Sequence, residues 1–325
     1  MLEAGLVANA AREELWWKYW LERTDWPGPR SFVLSRGSEI LAHAALIPGV
    51  YASGTRRFRV IHLIDWAARA TSSGAGAALM KSVRRLTDAM LALGGSQQTL
   101  QILPQLGFRP CGAATVYVRT LRPSRILVPS VHSTWRLAPR LVRSALWTMT
   151  APAPRVPGWQ TRLLRSEDVG VVNSVLPGPR RDLAILERSE ALLRYSLACP
   201  IAPMQLYSMA QDGRVRGYFL LAFALGQARL ADCWIDSEDA ADWCALVQCA
   251  VARAKENSRV AELVAWASDS TLSNSLRNCG FHARGTVAAQ LLAAPEFDFV
   301  GATPRLQMLD NDGAYRHLGR NEFLA

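Results

Sequence analysis

No stretch of this sequence is apolar for long enough to cross a bilayer as a helix. The longest uninterrupted run, Gly217 to Gly226, is about half the roughly 20 residues that a span requires. The opening residues, MLEAGLVANAAREELWWKYW, lack the basic segment and apolar core of a secretory signal and carry Glu3, Glu13 and Glu14. The expectation is therefore a cytoplasmic protein. Cysteine is sparse and unpatterned: the six at 111, 199, 233, 244, 249 and 279 form no CxxC pair, which argues against a zinc ribbon or a disulfide scaffold. His43, His62, His132, His282 and His317 are scattered without ligand-like spacing, so no metal is expected. GxSxG, GxxxxGK[ST] and HExxH are all missing. Asp310, Asp312 and Gly313 resemble the start of a calcium loop, but the later ligands are absent and a surface turn is expected.

Acidic residues are also missing from one long segment. Between Arg119 and Arg165 there are nine arginines (119, 122, 125, 136, 140, 143, 155, 162 and 165) and neither Asp nor Glu, which accounts for most of the net charge of +10. Pro123, Pro129, Pro139, Pro152, Pro154 and Pro157 make it an interdomain connector with one amphipathic helix near Arg136 to Thr150. Such a segment is either a surface for anionic partners or a solvated face paired with acidic residues elsewhere. Trp135 and Trp147 fit a membrane interface or a packing role. No aromatic platform or known motif accompanies the charge, which argues against nucleic acid.

At 325 residues, half of them hydrophobic, the chain is long enough for two domains, each with its own core. Arg57 to Trp66 has the β-branched and aromatic content of a strand. From Ala77 onward Leu79, Val83, Leu86, Met90 and Leu93 fall on one helical face. The change of period falls on TSSGAG, Thr71 to Gly76. A helix opening after Gly74 and Gly76 leaves its first amides unpaired and directs its positive dipole end at the turn, which suits a pyrophosphate. Ser72 and Ser73 can add hydroxyl donors or cap the helix. The competing reading is ordinary chain geometry. Further on, Gly94-Gly95-Ser96 leads into a short helix, and Gly107 and Phe108 supply a left-handed cap and a buried anchor.

The chain also repeats itself. TLQILPQLGFRPCG (Thr99 to Gly112) is echoed by TLSNSLRNCGFHARG (Thr271 to Gly285), and RGSEILAHAAL from Arg36 by QDGRVRGYFLL from Gln211. In the second copy the pattern predicts strands at Arg162 to Leu164, Gln205 to Ala210, Val215 to Ala224, Ala228 to Ile235, Ala261 to Ala267 and Thr286 to Leu292. Helices are expected over Glu167 to Val175, Leu183 to Ser196, Asp239 to Glu256 and Thr271 to Asn278. Where the first copy has its glycine turn, the second has IDSEDAADW, whose Asp236, Glu238, Asp239 and Asp242 would repel a pyrophosphate.

This order of elements resembles the GNAT superfamily of acyl-CoA-dependent N-acyltransferases, whose coenzyme loop reads Q/RxxGxG/A. Gly74 and Gly76 match it, while Thr71 stands where Arg or Gln is usual. The resemblance covers about four-fifths of the chain as two tandem GNAT-like domains, each an α/β (α+β) unit with a mixed, mostly antiparallel sheet flanked by helices. The division it implies is residues 1–120 with the coenzyme loop, a connector over 121–158, a second domain over 159–295 without the loop, and a tail over 296–325. LWWKYW, Leu15 to Trp20, and ALIPG are similar to segments of Fem-type and envelope-polysaccharide GNAT proteins. The co-substrate implied is acetyl-CoA or another acyl-CoA, held by Trp66, Ala67, Ala68, Thr71, Ser72, Ser73, Gly74, Ala75, Gly76 and Ala77, with Ser96 either on the pantetheine arm or capping a helix. The acceptor implied is an amine, such as an amino sugar of an envelope or exopolysaccharide. Two alternatives stay open: a non-catalytic binding or scaffold protein, and a Fem-type transferase using aminoacyl-tRNA, with the arginine segment meeting RNA.

Amide formation from a thioester also needs a donor at the thioester oxygen and a proton acceptor for the amine. In the family a main-chain N–H of the strand before the glycine turn supplies the first, here near Trp66 to Ala68. For the second, period 2 along Phe58 to Trp66 puts His62 and Ile64 on one sheet face and Asp65 with Ile61 and Leu63 on the other. Asp65 and His62 are the candidates, against the readings that Asp65 orients the turn and His62 is a core residue; His43 is a third. The family's tyrosine acid has no counterpart in Thr99 to Gln105.

Overall fold

The computed structural model describes residues 12–127, 137–293, 303–316 and 323–325. Glu3, Pro129, His132, Trp135, Arg136 and His317, singled out above, lie outside the described residues. In chain order the elements are α1 (Arg12–Leu15), β1 (Ser31–Arg36), β2 (Glu39–Ser53), β3 (Arg56–Ala68), α2 (Ala75–Arg84), β4 (Ala89–Leu93), α3 (Gln97–Ile102), β5 (Arg109–Thr120), α4 (Leu137–Thr150), β6 (Trp159–Leu164) and β7 (Leu183–Leu186). There follow α5 (Glu190–Leu197), β8 (Met204–Gln211), β9 (Arg214–Ala224), β10 (Gln227–Ile235), α6 (Ala240–Glu256), β11 (Glu262–Ala267), α7 (Ser270–Asn278), β12 (His282–Ala293) and β13 (Thr303–Arg305). The result is a mixed α/β fold whose strands pair mostly antiparallel and are flanked by helices. None of the described helices is long and apolar enough to cross a membrane.

The chain forms two compact units that interleave along the sequence. One comprises Met1–Ala113, Gly178–Glu187 and Val287–Arg305; the other comprises Ala114–Pro177, Arg188–Thr286 and Leu306–Ala325. Strand exchange is the reason. In the first unit β4 takes Ala289 to Ala293 of β12 as its antiparallel neighbour. In the second, β11 takes Thr115 to Thr120 of β5. Each half of the sequence thus completes its sheet with a strand from the other half.

The first unit orders its strands β13-β7-β2-β3-β4-β12, with β1 on the side of β2. Leu79, Met80 and Val83 of α2 lie in one apolar cluster with Ala42, Ala44, Leu46, Ile61, Leu63, Met90 and Phe108. Burying each larger side chain contributes roughly 1.5–3 kcal/mol. The helix expected to carry Met90 and Leu93 stops at Arg84, where Lys81 and Arg84 complement its negative end. Asp88 then takes the Arg59 amide at 2.7 Å, which ties the turn to the start of β3 and launches Ala89–Leu93 as a parallel strand. A strand covered on both faces reads as a continuous apolar run, and AMLAL prolongs the helical period by coincidence.

The second unit orders its strands β5-β11-β10-β9-β8-β6. The helix expected over Leu183 to Ser196 is two elements, the short strand β7 and α5, the latter capped by Ser189. The stretch Ser166–Val175 is a 3₁₀-helix.

Candidate functional site

The glycine turn leaves β3 with the Arg69 amide bonded to the Leu41 carbonyl at 2.9 Å. The turn closes partly on itself: the amides of Ser72 and Ala75 donate to the carbonyls of Arg69 and Ser72 at 3.0 and 3.1 Å. Those two are therefore unavailable to a ligand. Among the described residues the amides of Ser73, Gly74, Gly76 and Ala77 have no acceptor in the chain, as expected of a helix N-terminus. Gly74 caps α2 at φ +80°, and a Cβ there would meet open space. Gly76 has another reason to be glycine. A Cβ would lie 3.1 Å from the Trp66 indole nitrogen, which donates to the Gly76 carbonyl at 3.3 Å. The Trp66 side chain thus packs under the first turn of α2, and Thr71 is exposed.

β3 and β4 pair in parallel only from Val60↔Ala89 to Leu63↔Ala92. Beyond Leu63, β3 keeps β2 as its neighbour (Ala44↔Trp66, His43↔Ala67, Ala42↔Ala68) and leaves β4, so the two strands open as a wedge. The register with β2 shifts between Ala44 and Leu46, which leaves an extra residue in β3 at Ile64–Asp65 and breaks the alternation expected along this strand. Because the Arg69 amide faces β2, the alternation of the strand turns the amides of Trp66 and Ala68 away from β2, into the wedge.

The second unit has the same construction. β10 pairs in parallel with β11 from Gln227 to Leu230, then carries a bulge between Leu230 and Asp232. The Asp236 amide bonds back to the Arg216 carbonyl of β9, as Arg69 does to β2. Asp232 thus corresponds to Asp65, Cys233 to Trp66, and Tyr218, opposite Trp234, to His43. Here the wedge is filled. Gln307 Oε1 accepts from the Cys233 amide at 3.0 Å, and its Nε2 donates to Asp232 and to the Cys233 carbonyl. Asp232 is also held by Arg188 (2.7 and 3.0 Å) and Tyr218 (2.7 Å), and Arg188 reaches Asp310 at 2.7 Å. Asp310 is thus part of a buried ionic cluster, not of a surface turn. Asp239 caps α6 by accepting from the Ala241 amide, so a carboxylate occupies the place that would take an anion.

In the first unit the carboxylate of Asp65 accepts from Tyr19 at 2.8 Å and pairs with Lys18 at 2.5 Å. Lys18, only 8% exposed, makes this a partly buried pair, with both contacts on Asp65 Oδ2. His62, 1% exposed, stacks on Tyr51 at 5.7 Å between centroids and is a packing residue. His43 lies elsewhere. It lines a cavity of about 690 Å³ bounded by Tyr19, Trp20, Ser31, Leu41 and the last residues of β3, Ala67 to Arg69. Its Nε2 sits 3.0 Å from Ser31 Oγ, and its buried Nδ1 has no partner among the described residues. Burial lowers its pKa below 6.5; the Asp65 charge opposes that shift and Lys18 adds to it. His43 is therefore neutral near pH 7. Its strand position was visible in the sequence; the cavity was not, because residues 15–69 assemble it. Ser96 caps α3, accepting from the Thr99 amide at 3.1 Å, and so serves the helix.

Some arginines of this segment bond within the chain, while the side chains of Arg162 and Arg165 stay exposed. Arg119 donates to the Cys279 and Pro152 carbonyls, Arg122 to those of Lys255, Asn257 and Val260, and Arg162 pairs with Asp168.

Parallel strands that part beside a bulge, followed by a glycine-opened helix, define the fold of the GCN5-related N-acyltransferases. Solved structures of that fold match this chain at low identity. A GCN5-related N-acetyltransferase from Anabaena variabilis matches with a TM-score of 0.52 and 12% identity, over 81% of this chain and 62% of that one. A probable N-acyltransferase from Enterococcus faecalis matches at 0.53 and 12%, over 80% and 61%. Saccharomyces cerevisiae N-myristoyltransferase with bound myristoyl-CoA matches at 0.57 and 14%, over 88% and 71%. The chain thus spans about three-fifths of the length of the two bacterial structures. No family profile matches the sequence, and no curated protein matches it.

Proposed function

We propose that the chain is an acyl-CoA-dependent N-acyltransferase with a single working site, in the first unit. The observation that carries this reading is the difference between the two wedges. The Cys233 amide is taken by Gln307, whereas the corresponding Trp66 amide is turned away from β2 and has no side-chain partner among the described residues. The amides of Ser73, Gly74, Gly76 and Ala77 would receive the coenzyme's pyrophosphate, which carries negative charge to the positive end of α2. The Trp66 and Ala68 amides would line the pantetheine arm and polarise the thioester oxygen. Neutral His43 would take the proton released when an amine attacks. Asp65 would hold the bulge in place from its pairing with Lys18 and Tyr19.

Titration calorimetry with acetyl-CoA, and separately with a longer acyl-CoA, tests the reading. Binding to the wild type that Gly74→Arg abolishes is expected, because the new side chain would fill the open space beside the free amides. Absence of heat with either coenzyme at millimolar concentration would overturn it. Coenzyme binding without thioester cleavage in the presence of any amine would favour the scaffold alternative, for which Thr71 in place of a basic residue speaks. Retention of tRNA on the protein at low salt, lost steeply as salt rises, would favour the aminoacyl-tRNA alternative.

A further inference from the structure

The arginine segment carries one helix whose outer side acyl transfer does not use. Along α4, Pro139, Val142, Leu146 and Met149 recur at the spacing of a single helical face, and all four are exposed, the last three by 61%, 54% and 82%. The opposite side is anchored. Ser144 is buried, and the Trp147 ring stacks on His282 at 3.9 Å between centroids, with Arg143 and Arg284 over the indole. Trp147 is therefore a packing residue. The hydroxyls of Thr148 and Thr150 donate to the carbonyls of Ser144 and Leu146 one turn back, so this end of the helix can shed water without stranding them.

The charge around the row decides what can cover it. No Asp or Glu occurs from Arg119 to Arg165. Arg125 is exposed on the 3₁₀ turn Pro123–Leu127, which packs against α4, and Arg155 is exposed five residues past the helix end. Neither guanidinium meets a carboxylate among the described residues. Two copies meeting through this face would bring these cations together, and like charges repel. A nucleic acid would offer phosphates to the arginines, but it would leave the apolar row in water and find no exposed ring on this face to stack on. Anionic headgroups above acyl chains answer both features at once.

We propose that α4 lies flat on a bilayer that contains anionic lipids, with Val142, Leu146 and Met149 among the acyl chains and Arg125 and Arg155 at the level of the headgroups. With 14 residues the helix is about 21 Å long, too short for the roughly 30 Å of hydrocarbon that a span must cross, so it rests on the surface. The face belongs to the second unit and stands independently of the acyl transfer proposed for the first.

Co-sedimentation of the full chain with phosphatidylcholine vesicles, plain or containing about one-third phosphatidylglycerol, tests the proposal. Binding is expected to the mixed vesicles and not to the plain ones, and it should fall as salt rises. Met149→Asp, at an exposed position, should weaken it at least about tenfold while leaving the urea unfolding midpoint unchanged. Arg125→Ala should weaken it about fivefold, the contribution of one cation near an anionic surface. Gly74→Arg should leave vesicle binding intact, so the fate of the coenzyme site and that of this face are read separately. Four results would overturn the proposal: no sedimentation with mixed vesicles, equal binding to both kinds of vesicle, binding that Met149→Asp leaves unchanged, or a dimer in analytical ultracentrifugation that Met149→Asp disperses, which would give the face to a second copy of the chain.

Discussion

Replacing Gln307 by alanine measures the difference between the two wedges directly. Its side chain makes four contacts with its neighbours: Oε1 accepts from the Cys233 amide (3.0 Å) and thiol (3.2 Å), and Nε2 donates to Asp232 (3.0 Å) and to the Cys233 carbonyl (3.2 Å). All of them are buried. Truncation strands the amide and carbonyl of Cys233 and removes one donor from a carboxylate with no exposed surface. A buried polar group left unsatisfied costs about 1–3 kcal/mol. Two backbone groups together give a loss of roughly 2–5 kcal/mol, less whatever water recovers by entering the space. Urea unfolding supplies that figure. Amide hydrogen exchange on ¹⁵N-labelled protein supplies the location. In the wild type the Cys233 amide should exchange at least about 100-fold more slowly than those of Trp66 and Ala68, and in Gln307→Ala it should join them. Acetyl-CoA should then protect Trp66, Ala68, Ser73, Gly74, Gly76 and Ala77, and leave Cys233 unchanged. A Trp66 amide as protected as Cys233 without ligand would refute the claim that its wedge is open.

The two glycines of the turn should separate binding from packing. Gly74→Ala has free space but adopts φ +80°, so a stability loss of about 1–2 kcal/mol is expected with coenzyme affinity reduced. Gly76→Ala drives a methyl against the Trp66 indole and should redshift its fluorescence as well as destabilise the fold. For His43, the acid limb of the rate profile should lie below pH 6.5; Lys18→Met should move it up and Asp65→Asn down, following the sign of each charge. Parallel movement by both variants would remove His43 as the titrating group. Asp310 is held above its ordinary pKa of 3.8 by burial and by Asp232, against the pull of Arg188. The folded protein therefore binds its proton more tightly than the unfolded chain, so its contribution to stability grows as pH falls from that raised value towards 3.8 and is lost as pH rises through it. Urea unfolding of Asp310→Asn across this range should show a correspondingly smaller gain on acidification than the wild type.

Much of this architecture was legible because its periods are strong. The strand before the glycine turn, the length of α6 and the short helices of the two TL…GF segments sit where the pattern placed them. What escaped did so for particular reasons. Ala89–Leu93 continued the spacing of the preceding helix, so period alone could not separate strand from helix. Leu183–Leu186 is a four-residue strand made by pairing with Tyr51 and Ala52, more than a hundred residues away in sequence. The bulge at Ile64–Asp65 is a matter of register with β2, and a register shift leaves no mark in composition. Gln307 stands 74 residues from the amide that it occupies, with nothing around it to announce a plug.

Comparing the two units bears on the candidate bases. Asp65 and Asp232 sit at the same bulge of corresponding strands, and each is held by one cation and one tyrosine: Lys18 and Tyr19 in the first unit, Arg188 and Tyr218 in the second. The second unit keeps this arrangement although its wedge is filled, so the carboxylate is retained where no acyl transfer could use it. In both units the paired carboxylate stands beside the register shift, which fits a role in holding the bulge. The two units differ instead at the position opposite the strand end. Tyr218 is buried and spends its hydroxyl on Asp232, whereas His43 lines a cavity and has its Nε2 3.0 Å from Ser31 Oγ. If Asp65 were the proton acceptor, Asp65→Asn would abolish turnover. If it only holds the bulge, the variant should keep a measurable rate with a lowered acid limb, and His43→Gln should remove it.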